Sequence, residues 1–467
     1  MKKDLNMSDD FSLSGIWFLP ENDKTLSGDL NYLNGEKISL NAYSLGKIED
    51  INNFFSIDTL KPNVSKIDII LGQTNEKGLV TLYDCYNINS GVSVYNDSLL
   101  SPVLTRLPFN AEAILIGKHF VKKDDITFES IIIEFTNLNS WAPFLGHKRK
   151  LFFDNNNKFT GINFNYSLPD DIKIDLENGL KFNVLCSFNL EDFSRDKRVF
   201  NFVEKIKLEI GVKEPKNLDF FISTIHKLER FFTLAMLMPI YALSVRGKIK
   251  ENHSNEKVVR NIVEIFYRAN KIPANFNERT PKEMLFTYDD ISEDLKTLLD
   301  NWFAKYELLE PILNLYFNVV YIEESDYINN FLNLAQALES FHGRIYGKNC
   351  NEKTGCKYKH CEKVNKTKNI PLIDRLKCLL IRHKEKIEKV ITDLDDFAKT
   401  VSFNRNYYTH YDRNDPRKVK KGVDLFNLTN QMKFLFQLCL LSEIGLDEEK
   451  IIDLLSGKNI YRSYFQI

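Results

Sequence analysis

Pro215-Lys216-Asn217-Leu218-Asp219-Phe220-Phe221-Ile222-Ser223-Thr224-Ile225-His226-Lys227-Leu228-Glu229-Arg230-Phe231-Phe232 is the stretch where the pattern of the chain changes. Leu218, Phe221, Ile222, Ile225, Leu228 and Phe232 recur at i, i+3, i+4 spacing, which lays one apolar stripe along a helix. Before Pro215 that spacing is almost absent. Short β-branched and aromatic runs take its place, among them Gly15-Ile16-Trp17-Phe18-Leu19, Ile67-Asp68-Ile69-Ile70-Leu71 and Ala113-Ile114-Leu115-Ile116. Asn34-Gly35 and Asn178-Gly179 each lie between two such runs, and Asn-Gly takes the left-handed angles of a tight hairpin. After Pro215, further helices are expected over residues 256–269, 294–306 and 327–346, with a polar break at 271–280. The expected fold class is therefore α+β and multidomain: a β-rich, sandwich- or barrel-like part at 1–212, a helical connection at 213–320, and an all-α bundle at 321–467.

A chain of 467 residues with 43% hydrophobic content can fill two or three cores. Its formal net charge of −1 excludes a global basic field, so any nucleic-acid contact must come from local patches. The first ten residues have no apolar core of the secretory kind. Seven cysteines, with Cys85, Cys186, Cys378 and Cys439 standing singly, fit a reducing cytoplasm better than a disulfide framework. The longest apolar run, 231–245, contains Pro239 and falls short of the roughly 20 residues of a membrane-spanning helix. It reads as a buried helix, and no membrane partner is expected. In the β-rich part His119 and His147 have no evident partner, and Trp141 reads as a core aromatic sooner than a base-stacking one.

Between two expected helices lies a Lys-rich polar loop, 348–364, with Cys350, Cys356, His360 and Cys361. Thiolates and imidazole are tetrahedral zinc ligands, and a metal would give shape to a loop that buries no apolar surface. The spacing is no standard finger, adjacent His360 and Cys361 do not easily face one ion, and His342 is an alternative ligand. Redox chemistry and simple solvated thiols remain as other readings. A catalytic zinc, hence a zinc hydrolase, is disfavoured by four candidate ligands and no H-E-x-x-H pattern.

Arg405-Asn406-Tyr407-Tyr408-Thr409-His410 follows an amphipathic run expected at 387–403 and is closed by Asp415-Pro416. Asn406 and His410, four apart, share a helical face, whereas Arg405 lies about 140° from His410 on an ideal helix. The trio suits RNA cleavage without metal. Histidine moves a proton near neutrality, arginine grips phosphate through two hydrogen bonds, and the RNA brings its own 2′-hydroxyl. The plain alternative is a helix end whose Arg and His are solvated or paired with carboxylates such as Asp412. Tyr407, Tyr408 and Tyr411 could stack on bases, although core packing is their commoner use. Arg413, Arg417, Lys418, Lys420 and Lys421 crowd the following residues, where a phosphate backbone would rest. A last helix is expected at 425–444.

Three stretches resemble the Apea-like branch of the HEPN superfamily: Ala335-Gln336-Ala337-Leu338-Glu339-Ser340-Phe341-His342-Gly343-Arg344, Asp374-Arg375-Leu376-Lys377-Cys378-Leu379-Leu380, and Arg405-Asn406-x3-His410, similar to the HEPN R-x4-6-H motif. They cover about residues 325 to 445. More loosely, Leu13-Ser14-Gly15-Ile16-Trp17, Leu26-Ser27-Gly28 and the Asn34-Gly35 hairpin are similar to the N-terminal domain of ApeA proteins. The cysteine-rich loop has no counterpart in the general HEPN pattern. The resemblance implies a metal-independent endoribonuclease with catalytic Arg405, Asn406 and His410, working on RNA as a homodimer or higher homo-oligomer. Two motifs would then face each other across one cleft. It also implies bacterial anti-phage defence by abortive infection, with a phage protein as a possible trigger; because an unrestrained toxin would harm its host, the β-rich part is expected to act as sensor and restraint. The alternative function is a non-catalytic nucleic-acid- or nucleotide-binding HEPN module with a structural zinc loop.

Overall fold

The structure is a computed structural model. It describes residues 5–20, 22, 24–45, 66–87, 104–142, 146–191, 201–250, 262–274, 278–321, 326–347, 370–388, 390–411 and 418–457. The expected fold class is seen: a β-rich first part with a closed barrel, then a helical second part.

Six strands close the barrel: β1 (Asp10–Phe18), β2 (Leu26–Leu33), β3 (Lys37–Leu45), β4 (Lys66–Thr74), β5 (Gly78–Asn87) and β6 (Leu104–Asn110). Every pairing is antiparallel, in the circular order β1-β2-β3-β6-β5-β4. The β2–β3 hairpin turns at Asn34 and Gly35 with φ of 35° and 74°, the left-handed pair expected of Asn-Gly. Trp17 fills the barrel and donates its indole N–H to Gly28 O at 3.0 Å. A Cβ at Gly72 would sit 2.3 Å from that ring, so only glycine fits there.

β5 links the barrel to a larger sheet. Its last residues pair with β6, while residues 80–83 pair with β7 (Ala113–Ile116). From β7 the ladder continues through β15 (Ile262–Tyr267), β14 (Ala242–Lys248), β8 (Thr127–Phe135), β13 (Asn201–Asn217) and β12 (Lys181–Glu191) to β11 (Ile172–Asp175). A separate two-stranded hairpin joins β9 (His147–Phe153) to β10 (Phe159–Tyr166). At Asn178-Gly179 the turn differs from expectation. Only Gly179 is left-handed, φ 86°, and its N–H bonds to Leu176 O, giving a longer loop.

Two helical expectations are corrected. The helix expected at 256–269 is the strand Ile262–Tyr267 where described: β14 and β7 flank it on both edges, and the sheet uses its β-branched and aromatic residues. These strands β14 and β15 fall within the stretch expected as a helical connection. The run 231–245 is no single helix either. Helix α1 (Leu218–Met236), capped by Asn217, stops at Leu237 with left-handed φ 53°. The chain then passes Pro239 and enters β14, with Thr233 Oγ1 and Glu229 Oε1 accepting from Ile240 N and Ala242 N. Trp141 is fully buried, 4.9 Å from the Phe232 ring. His119 Nε2 lies 2.7 Å from Gly72 O.

Helix α2 (Leu295–Tyr321) is shared by both parts. Trp302 Nε1 donates to Lys227 O of α1 at 2.9 Å, while Tyr316 stacks on Phe436 at 4.7 Å and accepts from Gln437 Nε2. The longer helices that follow are α3 (Tyr327–Phe341), α4 (Leu372–Arg382), α5 (Leu394–His410), α6 (Gly422–Glu443) and α7 (Glu448–Gly457). Helix α6 is buried all round from Phe434 to Leu441, as befits the centre of a bundle. Among the described residues no helix is long and apolar enough to cross a membrane.

Candidate active site

The motif occupies the last two turns of α5. The amphipathic run expected from 387 does not start there. A single turn, Lys384–Ile387, precedes a break, and α5 begins after Asp393, whose carboxylate accepts from Asp395 N at 3.0 Å and Asp396 N at 2.8 Å. A side chain that caps two amides fixes the helix start, and with it the phase of every later residue.

That phase buries Phe397, Ala398, Val401, Asn404 and Tyr408. Asn404 is a buried amide with both ends used: Nδ2 donates to Thr400 O at 2.8 Å, and Oδ1 accepts from Lys420 N at 2.7 Å. Tyr408 donates its hydroxyl to Lys420 O at 2.5 Å. Both main-chain polar groups of Lys420 are thus clipped to α5, which fixes where the chain returns before α6. Burial raises the Tyr408 hydroxyl above its ordinary pKa. Tyr408 is therefore core, its ring 6.1 Å from Phe331, while Tyr411 is 63% exposed and Tyr407 half-buried beside it at 5.8 Å.

Asn406 and His410 fall on the opposite, exposed side, and Arg405 lies on the flank between. Arg405 is about one-third exposed; Nη2 donates to Glu339 Oε2 of α3 at 2.9 Å and Nη1 to Asn406 Oδ1 at 3.1 Å. A guanidinium carries five N–H donors, so these two contacts orient it and leave donors for an anion. His410 is exposed and is the final helical residue; Tyr411, left-handed at φ 50°, ends α5 with its N–H on Tyr407 O at 2.6 Å. Among the described residues no hydrogen bond or ion pair joins Arg405 to His410, in keeping with their angular separation on one helix. Lys418, Lys420 and Lys421 are exposed. Arg413 and Arg417 lie outside the described residues, as does Asp412.

Glu339 is itself held. Arg375 of α4 donates from Nη1 to Glu339 O at 2.9 Å and from Nε to Ile370 O at 3.0 Å. The turn after α3, His342–Tyr346, is a π-helix. A Cβ at Gly343 would lie 2.7 Å from Arg375 Nη1, so glycine leaves room for the clasp. Sequence reading does not single out Glu339, Arg375 or Asn404 as site residues, and Tyr408, which it offers for base stacking or for the core, packs in the core. Glu339 and Arg375 stand inside the two stretches that carry the family resemblance, which is the one signal that points to them.

Cys350, Cys356, His360 and Cys361 lie outside the described residues. His342, the alternative ligand, is fully buried, its ring 5.7 Å from Tyr346. Among the described residues no group of three or more His, Cys, Asp or Glu side chains is placed to hold a metal ion. Cys85, Cys378 and Cys439 are buried, and Cys186 is half-buried.

A family model for ApeA N-terminal domain 1 matches residues 12–302, and one for Apea-like HEPN matches residues 332–450. The second match contains Glu339, Arg375 and the whole 405–410 motif. HEPN domains are associated with RNA binding and ribonuclease activity, and the pairing with an ApeA N-terminal domain points to a nuclease role in anti-phage defence. No curated protein and no solved structure matches the chain. The first family model alone spans more than half of the sequence, and the chain belongs to the ApeA-type HEPN family.

Proposed function

We propose that this chain is a metal-independent endoribonuclease that acts in bacterial anti-phage defence by abortive infection, as a homodimer or larger homo-oligomer. The observation that carries the reading is the oriented but unsaturated guanidinium of Arg405, on the same exposed helix end as His410. Arg405 binds a non-bridging oxygen of the scissile phosphate and offsets charge as it develops. An imidazole of His410 takes the proton of the ribose 2′-hydroxyl as the 2′-oxygen bonds to phosphorus. The bond from phosphorus to the 5′-oxygen breaks, and an imidazolium returns a proton to that oxygen. The products are a 2′,3′-cyclic phosphate and a 5′-hydroxyl. Two copies of α5 facing each other supply one histidine for each proton transfer, and they bring an Arg405 to a His410 that a single helix keeps apart. Asn406 steadies the guanidinium.

One observation favours the alternative, a binding module without cleavage: the Glu339 carboxylate already partners Arg405 and reduces its net charge toward phosphate. Labelled RNA incubated with the protein in EDTA, beside Arg405→Ala and His410→Ala, decides between them. Cleavage that survives chelation and disappears in both variants supports the nuclease. Binding without cleavage supports the alternative. A structural zinc on Cys350, Cys356, His360 and Cys361 belongs to the proposal through the chemistry of that donor set alone, and no catalytic step needs it.

A further inference from the structure

A formal net charge of −1 leaves nucleic-acid contact to local patches, and the β9–β10 hairpin is one. Residues 147–166 carry Lys148, Arg149, Lys150 and Lys158 against a single carboxylate, Asp154. That carboxylate is spent on the turn, where it accepts from Asn156 N and Lys158 N at 2.9 Å. Every residue from Lys148 to Thr160 is exposed. Residues paired across an antiparallel ribbon share a face. One face therefore holds Arg149 with Phe164, Leu151 with Ile162 and Phe153 with Phe159. The other holds Lys148 with Asn165, Lys150 with Asn163 and Phe152 with Gly161. Cations and rings thus stand on both faces. Phe152, Phe153, Phe159 and Phe164 are 41%, 56%, 54% and 40% exposed. Gly161 has no side chain to lay over Phe152, and a Cβ there would meet nothing within 4 Å. Lys150 Nζ lies 5.4 Å from the centre of the Phe152 ring, which sets a cation beside a stacking surface. At the base of the hairpin Tyr166 packs on Phe202 at 4.5 Å, and Gly146 N donates to Glu204 Oε1 at 2.8 Å, so the ribbon is anchored to β13.

Cations for phosphate and uncovered rings for bases are the two halves of a single-strand nucleic-acid surface. We propose that the β9–β10 hairpin binds single-stranded RNA and gives the substrate strand a second contact, on the β-rich part, besides the motif of α5. That the strand is RNA rests on the nuclease reading above; that it is an unpaired nucleic acid rests on the hairpin. Bases stack on Phe152 and on the pair Phe153 and Phe159, whose rings meet edge to face at 6.1 Å. Phosphates run along Lys148, Arg149 and Lys150. The seven residues of β9 span about 24 Å, room for several nucleotides. Such stacking accepts any base, because each has a π-face, but it needs the bases unpaired. The tip, Asp154-Asn155-Asn156-Asn157-Lys158, is polar throughout, whereas an element that enters a lipid surface leads with apolar residues.

The test uses the full chain and a labelled, mixed-sequence RNA of about 20 nucleotides, longer than one such surface covers. Its sugars are 2′-O-methylated, so it has no free 2′-hydroxyl to attack its own phosphates and reports binding alone. Fluorescence anisotropy is read across a salt series. The single strand should bind, and the same sequence as a duplex should bind more weakly. Lys148→Ser, Arg149→Ser and Lys150→Ser together should lower the slope of log Kd against log salt by about 2, at about 0.7 per phosphate contact. Phe152→Ala with Phe153→Ala should weaken binding by about tenfold or more and leave that slope unchanged. Lys148→Arg, Lys150→Arg and Phe153→Trp together should bind as wild type does, which separates lost contacts from a lost fold. The inference is overturned if the single strand does not bind, or if the serine and alanine variants bind it as wild type does. It is equally overturned if phosphatidylserine vesicles are the ligand these variants lose, or if sedimentation shows self-association that they abolish. Unmodified RNA keeps the two readings apart. Cleavage that every hairpin variant retains with unchanged KM removes the hairpin alone. No cleavage, with the expected binding pattern, removes the nuclease and leaves the hairpin an RNA-binding arm.

Discussion

Acidification from about pH 7.5 to about pH 5 should destabilise this protein through one buried imidazole. His383 follows α4 and is 1% exposed, with Nδ1 3.3 Å from Glu448 Oε1 of α7 but no hydrogen bond made by either ring nitrogen. Burial, helped by the neighbouring Arg382 charge, pushes its pKa down to about 4. An unfolded histidine titrates near 6.5. Above pH 6.5 both states are neutral and the contribution is fully present. As pH falls below 6.5 the unfolded chain takes up the proton first, so stability is lost progressively until the native ring titrates near pH 4. At pH 5 that loss is about 2 kcal/mol, approaching about 3 kcal/mol at lower pH. Carboxylates with lowered pKa, Glu134, Glu209 and Asp395, act below this window. Guanidinium titrations of the full chain at both pH values, beside His383→Leu, measure the difference. The leucine variant should be near wild type at pH 7.5 and more stable than it at pH 5. Parallel loss of stability in both proteins would refute the reasoning. A Glu448→Gln variant guards against the carboxylate swinging in to rescue the imidazolium, since that rescue would make wild type lose less than the variant.

Glu339→Gln should lower RNA cleavage by a few-fold and Glu339→Ala by about ten- to a hundredfold, the scale of a charge-assisted hydrogen bond; a rise in cleavage would make Glu339 a brake on Arg405 instead of its anchor. Gly343→Ala should displace Arg375 from Glu339 O and Ile370 O and cost about 1–3 kcal/mol of stability; an unchanged melting temperature and unchanged cleavage would show that the clasp is slack. Asn404→Leu leaves Lys420 N without its acceptor and should cost about 2 kcal/mol, seen as a lower denaturation midpoint before any change in RNA affinity. Elemental analysis of freshly purified reduced protein should find about one zinc per chain; none would remove the metal from the Cys350, Cys356, His360 and Cys361 loop.

Features that depend on near neighbours in the chain are legible without the fold. Asn34-Gly35 specified its turn because both residues tolerate left-handed angles, and the spacing of Leu218, Phe221, Ile225 and Phe232 specified a helix because one face repeats every 3.6 residues. The same arithmetic showed that Arg405 and His410 diverge on one helix, and three short stretches sufficed for the family. What the tertiary structure decided depends on partners distant in the chain. Residues 262–267 are a strand because β14 and β7 stand on either side, whatever their local propensity. Asn404, beside the motif, is buried because the packing of α5 turns it toward Lys420. Arg405 meets Glu339 across 66 positions of sequence. No local spacing encodes that meeting, since only the packing of α3 against α5 brings a carboxylate to the guanidinium.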